Sequence, residues 1–400
     1  MTGYDQGDTK EHLLNLNKPR EVYSVSMILI HPHLDVVGGS ERLTQLLLYE
    51  LDKRGYNVLV LTKARDPKYF PETKNIKFKL FKQSNLELSS KRVVKIADLF
   101  ITLDEALSSF GTSIVFSMIQ EPIYLMLSKI IKPSITTAIY IHFPFEEELT
   151  SENVEQFLNM YRFPGFYESM YRFVDLKMTN SSYTARVLFE KFGLESNVIY
   201  PAISWEFFEE EPDLDYDPGP VIVSVGRFVP HKRLDVLLKM FVEKIKPEIP
   251  NSRLILIGTI DVRYKEYYNE LKSLAEKTAD VEFIDKPLTP KELTRLYREA
   301  RVYVHLRIGE HFGMAPVEAM SQGAIPVIPL KSGLAELLTH KWNGFVYATD
   351  DEAVSYIIKV LRMDRKEYLE MKKRAYRKAL YFNPDRFTSD VIGYLGLIKH

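Results

Sequence analysis

Cysteine is absent from the 400 residues, so disulfides and thiolate metal sites are excluded and a reducing compartment fits. An excess of either charge is also missing. The 53 basic residues nearly balance 54 acidic ones, giving a net charge of −1, which speaks against bulk binding of nucleic acid. No uninterrupted apolar run is long enough to span a bilayer. Residues 1–20 are polar and lack the apolar core of a secretory signal, so they read as a mobile leader. Together these absences lead us to expect a cytoplasmic protein, with peripheral contact at the cytoplasmic face of a membrane left open. Hydrophobic residues, in contrast, make up 46% of the chain, enough to fill the cores of two or three domains of roughly 100–200 residues each.

The most informative stretch begins with an apolar run, Val302-Tyr303-Val304-His305-Leu306, that reads as a buried strand. Gly309-Glu310-His311-Phe312-Gly313-Met314-Ala315-Pro316-Val317-Glu318 follows. Pro316 suits the first turn of a helix and Gly323 its end. A strand, loop and helix in this order leave free backbone N–H groups at a helix start, where an anion is favoured. Glu310 falls in the loop and Glu318 on the opening turns, both placed to accept hydrogen bonds from sugar hydroxyls beside a phosphate. Taken alone, the pair reads equally well as a solvated loop residue and a favourable first-turn acid.

Upstream, residues 22–30 read as a core strand running into His31-Pro32 and then Gly38-Gly39-Ser40-Glu41-Arg42. The glycine pair lets backbone approach a ligand, although a plain tight turn explains it too. A helix over 43–54 and a strand over 56–62 complete a β-α-β unit, which predicts parallel pairing. Lys77, Lys79, Lys82, Lys91, Arg92 and Lys95 read either as a solvated helix face or as a contact with anionic lipid headgroups. Strands are expected over 114–118 and 136–141. The second ends in His142-Phe143-Pro144, and a histidine at such an end points into the ligand crevice of an open α/β sheet. Its near-neutral pKa would suit proton exchange, with a structural histidine as the plainer reading. The aromatic stretch 161–173 is core filler or a greasy lip for a lipid-linked acceptor.

Residues 201–220 are acidic and proline-rich and mark a linker. A strand over 221–225 opens a second α/β unit at Gly226-Arg227, with Lys232 five residues on, before a helix over 234–241. Arginine grips phosphate oxygens in bidentate fashion and lysine adds a point charge, though such a pair can also be an exposed basic turn. Strands follow over 254–257 and 281–284. Thr289, Pro290 and Glu292 form a helix start with a capping box. Residues 387–398 are apolar at helical intervals.

Glu310 and Glu318 with their intervening residues closely resemble the E-x7-E signature of retaining glycosyltransferases of family 4. Gly226-Arg227 through Lys232 is similar to that family's G-R-x-x-x-x-K diphosphate clamp. The His-Pro and Gly-Gly-x-Glu-Arg sequence and the His142-Phe143-Pro144 motif look most like members that extend dolichol-linked oligosaccharides. His311 departs from the glycine of many members, but dolichol-pathway members also show Glu-His-Phe-Gly. The resemblance implies an α/β protein of GT-B fold, with two Rossmann-like domains facing a cleft and a C-terminal helix crossing back to the first. Its implied boundaries are a leader over 1–20, an acceptor-binding domain over 21–202, a linker over 203–219, a nucleotide-sugar domain over 220–380 and a closing helix over 381–400.

The implied reaction moves a sugar, with mannose from GDP-mannose favoured over a UDP-sugar, onto a glycan or lipid-linked glycan hydroxyl with retention. His142 and Glu310 would serve the reacting sugar. Gly38, Gly39, Arg227, Lys232, Glu318 and the amides of Phe312, Gly313 and Met314 would hold the donor, without cofactor or essential metal. No nucleic acid is expected as partner. A sugar-nucleotide epimerase of the same fold, or a catalytically silent binding subunit, remains the alternative.

Overall fold

The structure is a computed structural model that describes residues 26–35, 38–83, 91–144 and 169–398. The expected leader, residues 22–25 of the first strand and residues 161–168 of the aromatic stretch lie outside the described residues.

In chain order the first strands are β1 (Ser26–Ile30), β2 (His33–Leu34), β3 (Asn57–Thr62), β4 (Ala64–Arg65), β5 (Ile76–Leu80), β6 (Ile114–Ser117), β7 (Thr136–Ile141), β8 (Leu176–Thr179) and β9 (Asn197–Val198). Seven of them form a parallel sheet in the order β5-β3-β1-β6-β7-β8-β9, and β2 pairs with β4 beside it. The second sheet contains β10 (Val221–Val225), β11 (Arg253–Ile257), β12 (Val281–Ile284), β13 (Val302–Val304), β14 (Ile325–Pro329) and β15 (Phe345–Tyr347). It is also parallel, in the order β12-β11-β10-β13-β14-β15.

Both sheets are covered on both faces, which is why their strands read as continuous apolar runs. Along β1, Met27 and Leu29 enter one core and Ile28 and Ile30 the opposite one. β10 divides the same way, with Ile222 on one side and Val221 and Val223 on the other. The alternation follows directly from the strand's two-residue period.

The last helix, Pro384–Leu395, follows the second sheet in sequence yet packs under the first. Phe387, Val391, Ile392 and Leu395 share a core with Leu43, Leu47 and Leu51 of the helix Gly39–Lys53. Tyr56 donates its hydroxyl hydrogen to the Leu397 carbonyl at 2.8 Å, fastening the return. Residues 203–219 are not a free tether. Phe207 is buried in the second domain, and Arg298, Arg301 and Lys373 hold the acidic side chains of Glu210, Asp217 and Asp215.

Lys77 and Lys79 lie on edge strand β5, not on a helix. Ile76-Lys77-Phe78-Lys79-Leu80 alternates with period two, a pattern that the frequency of lysine obscures. Lys79 and Lys82 both pair with Glu105 of the helix Lys91–Ser109, which neutralises part of the basic cluster.

Candidate functional site

In a parallel sheet, ligands sit beyond the carboxyl ends of the strands, where neighbouring connections depart to opposite sides. β10 lies between β11 and β13, so the β10/β13 boundary is such a point. The chain leaving β10 carries Arg227 and then Lys232, on a short turn whose end, Arg233, has φ 56°. The chain leaving β13 carries His305, Arg307 and Glu310. Lys232 Nζ stands 2.5 Å from Glu310 Oε2. His305 Nε2 lies 3.3 Å from the same oxygen, and Arg307 Nη1 is 3.8 Å from Oε1.

Burial pushes the Glu310 carboxyl up, but the charges of Lys232 and Arg307 and the nearby His305 outweigh it and hold the group well below the usual carboxylate range. Arg227 is half-exposed, with Nη1 3.2 Å from Asp261 Oδ2. Arg263 binds the same carboxylate and, against the opposing effect of burial, brings its pKa to about 2. His231 is lowered to about 4 by burial and then by the charges of Arg307, Lys232 and Arg227. Three cations therefore act on one small region.

Gly313, at φ +77°, turns the chain into the helix Met314–Ser321, a conformation that favours glycine. A Cβ there would also stand 3.2 Å from Glu310 Cγ. The Phe312 ring packs in the core 5.8 Å from that of Phe382, so only its backbone is available to a ligand. Neither plain reading of the two acids holds: Glu310 is buried rather than solvated, and Glu318 lies beyond the first turn of its helix. It is buried and accepts a hydrogen bond from Tyr297 Oη at 3.1 Å. Burial raises its pKa, against the opposing influences of Arg42 and Tyr297.

In the first domain, Gly38 N donates to Glu41 Oε2 at 3.0 Å, and a Cβ on Gly38 would lie 2.5 Å from that oxygen. A Cβ on Gly39 would lie 3.3 Å from Met314 Cε, so the glycine pair abuts the helix start of the second domain. His142 Nε2 is 3.0 Å from the Met118 carbonyl. A carbonyl only accepts, so Nε2 carries the hydrogen and Nδ1 is left as an acceptor. The near-neutral titration expected of His142 does not hold. Burial takes it down to about 4, despite the Met118 hydrogen bond.

His142 reaches the signature loop through a relay. Asn180 Nδ2 donates to the His142 carbonyl at 2.7 Å, and Asn180 Oδ1 accepts from Thr184 Oγ1 at 2.7 Å. Thr184 Oγ1 then lies 2.9 Å from His311 Nδ1. Ser181 Oγ adds a hydrogen bond to the His311 carbonyl at 2.6 Å. The carboxylate of Glu336 in the second domain accepts from the amides of Ser182 and Tyr183 at 3.1 and 3.3 Å and from Tyr200 Oη at 2.9 Å.

The expected residues Gly39, Lys232, Glu310, Gly313 and Met314 thus converge, while Arg227 engages Asp261 and His142 is linked only indirectly. Sequence reasoning missed Arg307, His305, Tyr297 and Gly333. A Cβ on Gly333 would fall 1.9 Å from the His311 carbonyl oxygen, and its amide donates to the Glu310 carbonyl at 2.8 Å. Its only sequence signal is a glycine in the loop after an apolar strand. Tyr297 and Glu318 are 21 residues apart and meet only across two helices.

Two domains of this kind around a cleft define the GT-B architecture. Anabaena HepE in complex with UDP and glucose superimposes with a TM-score of 0.72 at 18% identity, over 94% of this chain and all of that one. Sucrose-phosphate synthase from Thermosynechococcus elongatus gives 0.73 at 16% identity, over 93% and 98%. The family models for "Glycosyltransferase Family 4" and "Glycosyl transferases group 1" match residues 37–207 and 207–378, and the chain belongs to this glycosyltransferase family. The GDP-Man:Man(3)GlcNAc(2)-PP-Dol alpha-1,2-mannosyltransferase of Dictyostelium discoideum is 26% identical over 58% of this chain, which spans about half (49%) of that protein. The human alpha-1,3/1,6-mannosyltransferase ALG2 is 24% identical over 92% of this chain and 95% of its own length.

Proposed function

We propose that the protein transfers mannose from GDP-mannose to a hydroxyl of a dolichol- or polyprenyl-linked oligosaccharide, with retention at the anomeric carbon. The observation that carries this reading is the meeting of Lys232, Glu310 and the Gly313–Met314 helix start at one strand switch point. The names of the relatives supply the sugar and the acceptor class.

In this reading Lys232 and Arg227 leave their carboxylates for the diphosphate, and the amides at the helix start complete the cradle. Glu310 accepts hydrogen bonds from the sugar and Glu318 from the ribose. The acceptor oxygen bonds to the anomeric carbon as the bond to the diphosphate oxygen breaks. A histidine lowered to about 4 is a weak base, so His142 orients the sugar through Nδ1. The hydroxyl proton then goes to the departing phosphate oxygen. The cations take the place of a metal, and chelation should leave the rate unchanged.

Among the described residues no helix is long and apolar enough to cross a membrane. A peripheral membrane contact is supported by exposed Leu80, Ile96, Phe100 and Ile101, the last beside Thr102, whose hydroxyl accepts from the Lys82 amide. Flotation with anionic vesicles tests it, and replacing Ile96 and Phe100 by serine should release the protein.

Incubation with GDP-mannose and UDP-sugars, with and without lipid-linked acceptor, tests the reaction. Mannose transfer only when both partners are present is expected. Donor conversion without acceptor would instead identify an epimerase, and nucleotide binding without turnover a silent binding subunit.

A further inference from the structure

Lys232 has two claims on it. The structure shows it closed on Glu310 at 2.5 Å, whereas the proposed reaction needs it on the donor's diphosphate. Its departure leaves a carboxylate only 11% exposed without its nearest cation. A buried charge stripped of its partner is strongly disfavoured. Nucleotide binding would have to overcome that penalty unless another cation replaced lysine.

Arg307 is that cation by position. Its side chain is 14% exposed, and Nη1 stands 3.8 Å from Oε1, the oxygen that Lys232 does not occupy. The guanidinium comes from the same loop as Glu310, three residues earlier, so it stays with the carboxylate when the lysine turn moves. Its nearest oxygen is Oε1, not the Oε2 held by Lys232, and a shift of about 1 Å brings it into full hydrogen-bonding range. His305 at 3.3 Å from Oε2 is a poor substitute, because burial keeps its pKa below the ordinary histidine value and favours the neutral ring.

We propose that Arg307 is a positioning residue that takes over as counter-ion of Glu310, releasing Lys232 to the donor diphosphate. This rests on the assignment of the diphosphate to Lys232 and goes beyond it. The two-cation clamp becomes a three-cation exchange in which lysine moves, arginine stays and the glutamate remains charged throughout. Arg307 need not touch the nucleotide.

The test is a double-substitution cycle read by calorimetric titration with GDP, which lacks the sugar that Glu310 would contact. Arg307→Met leaves Lys232 as the only strong partner of Glu310 among the described residues and should weaken GDP binding about tenfold, a typical coupling between sites. Glu310→Gln removes the charge that tethers Lys232, so Arg307→Met added to Glu310→Gln should weaken binding less than twofold, within the additivity expected of uncoupled sites. A merely structural arginine would not show that rescue. An equal loss in both backgrounds would overturn the proposal in favour of direct contact between Arg307 and phosphate. No loss in either would overturn it outright. Should Arg307→Met fail to fold, Arg307→Lys serves in its place. Lysine keeps the positive charge without the guanidinium fork, so it predicts a smaller loss that Glu310→Gln also abolishes, and persistence of the loss would again overturn the exchange. Wild-type protein that binds neither GDP nor UDP would overturn the proposed function itself, and the exchange with it.

Discussion

The carboxyl ends of the two sheets differ in electrical character. The first domain presents buried imidazoles held neutral. Among the described residues His31 has no hydrogen-bond partner on either ring nitrogen, and it is lowered to about 3 by burial, then by His142 and His33; His142 itself is lowered to about 4 by burial. The second domain presents charges that neutralise one another: Lys232 and Arg307 with Glu310, and Arg227 and Arg263 with Asp261. The difference teaches how each side tolerates burial. Desolvation outweighs a single carboxylate, Glu41 Oε1 at 3.6 Å from His31 Nε2, and keeps the imidazole neutral; where cations surround a carboxylate, the charge survives. A cleft with one neutral and one charged wall suits a reaction whose charge develops almost wholly on the leaving diphosphate.

Several substitutions would break this contrast. Glu310→Ala strands two cations and removes the proposed sugar contact, so kcat/KM for labelled mannose transfer should fall about 1,000-fold. Retention of a tenth of the activity would refute its place in the site. Lys232→Ala should lower kcat/KM about 100-fold. Its unfolding free energy in urea should hardly change, because Arg307 stays with Glu310 as counter-ion. A drop of about 3 kcal/mol would show that Glu310 is left uncompensated and that Arg307 does not replace the lysine.

Gly333→Ala places a methyl group against the His311 carbonyl oxygen and should destabilise the fold by about 2 kcal/mol, visible as a lower melting temperature. The smallest effect is on acid stability and belongs to the neutral wall. Below pH 6.5 the unfolded chain protonates the histidines equivalent to His31 and His142, whereas the folded chain refuses those protons until about pH 3 and 4. Stability is therefore lost as pH falls from 6.5 towards 4. Replacing His142 by glutamine should flatten urea midpoints measured across that window, and an unchanged slope would place the acid sensitivity elsewhere.

The sheet architecture was legible because buried parallel strands are apolar throughout and stop at glycine, proline or acidic turns. β10 and β12 were read to their observed bounds. β5 was not, since an edge strand with alternating lysines looks like a polar surface of any kind. Gly39, Lys232, Glu310 and Gly313 were found from local spacing and motif resemblance. Arg307 escaped because nothing near it in sequence separates an arginine facing solvent from one facing a carboxylate.

Local order of residues determined the two α/β units, the positions of the acids and cations along the chain, and the capped helix start at Pro290, whereas the first helix, expected from Leu43, begins at Gly39. Burial period and capping chemistry act over a few residues, so one dimension carries them. The protonation of His142, the meeting of Glu318 with Tyr297 and the competition between Lys232 and Arg307 for Glu310 were decided only in three dimensions. Each depends on the dielectric and on charges brought close by segments distant in sequence, and those distances exist only once both sheets have formed.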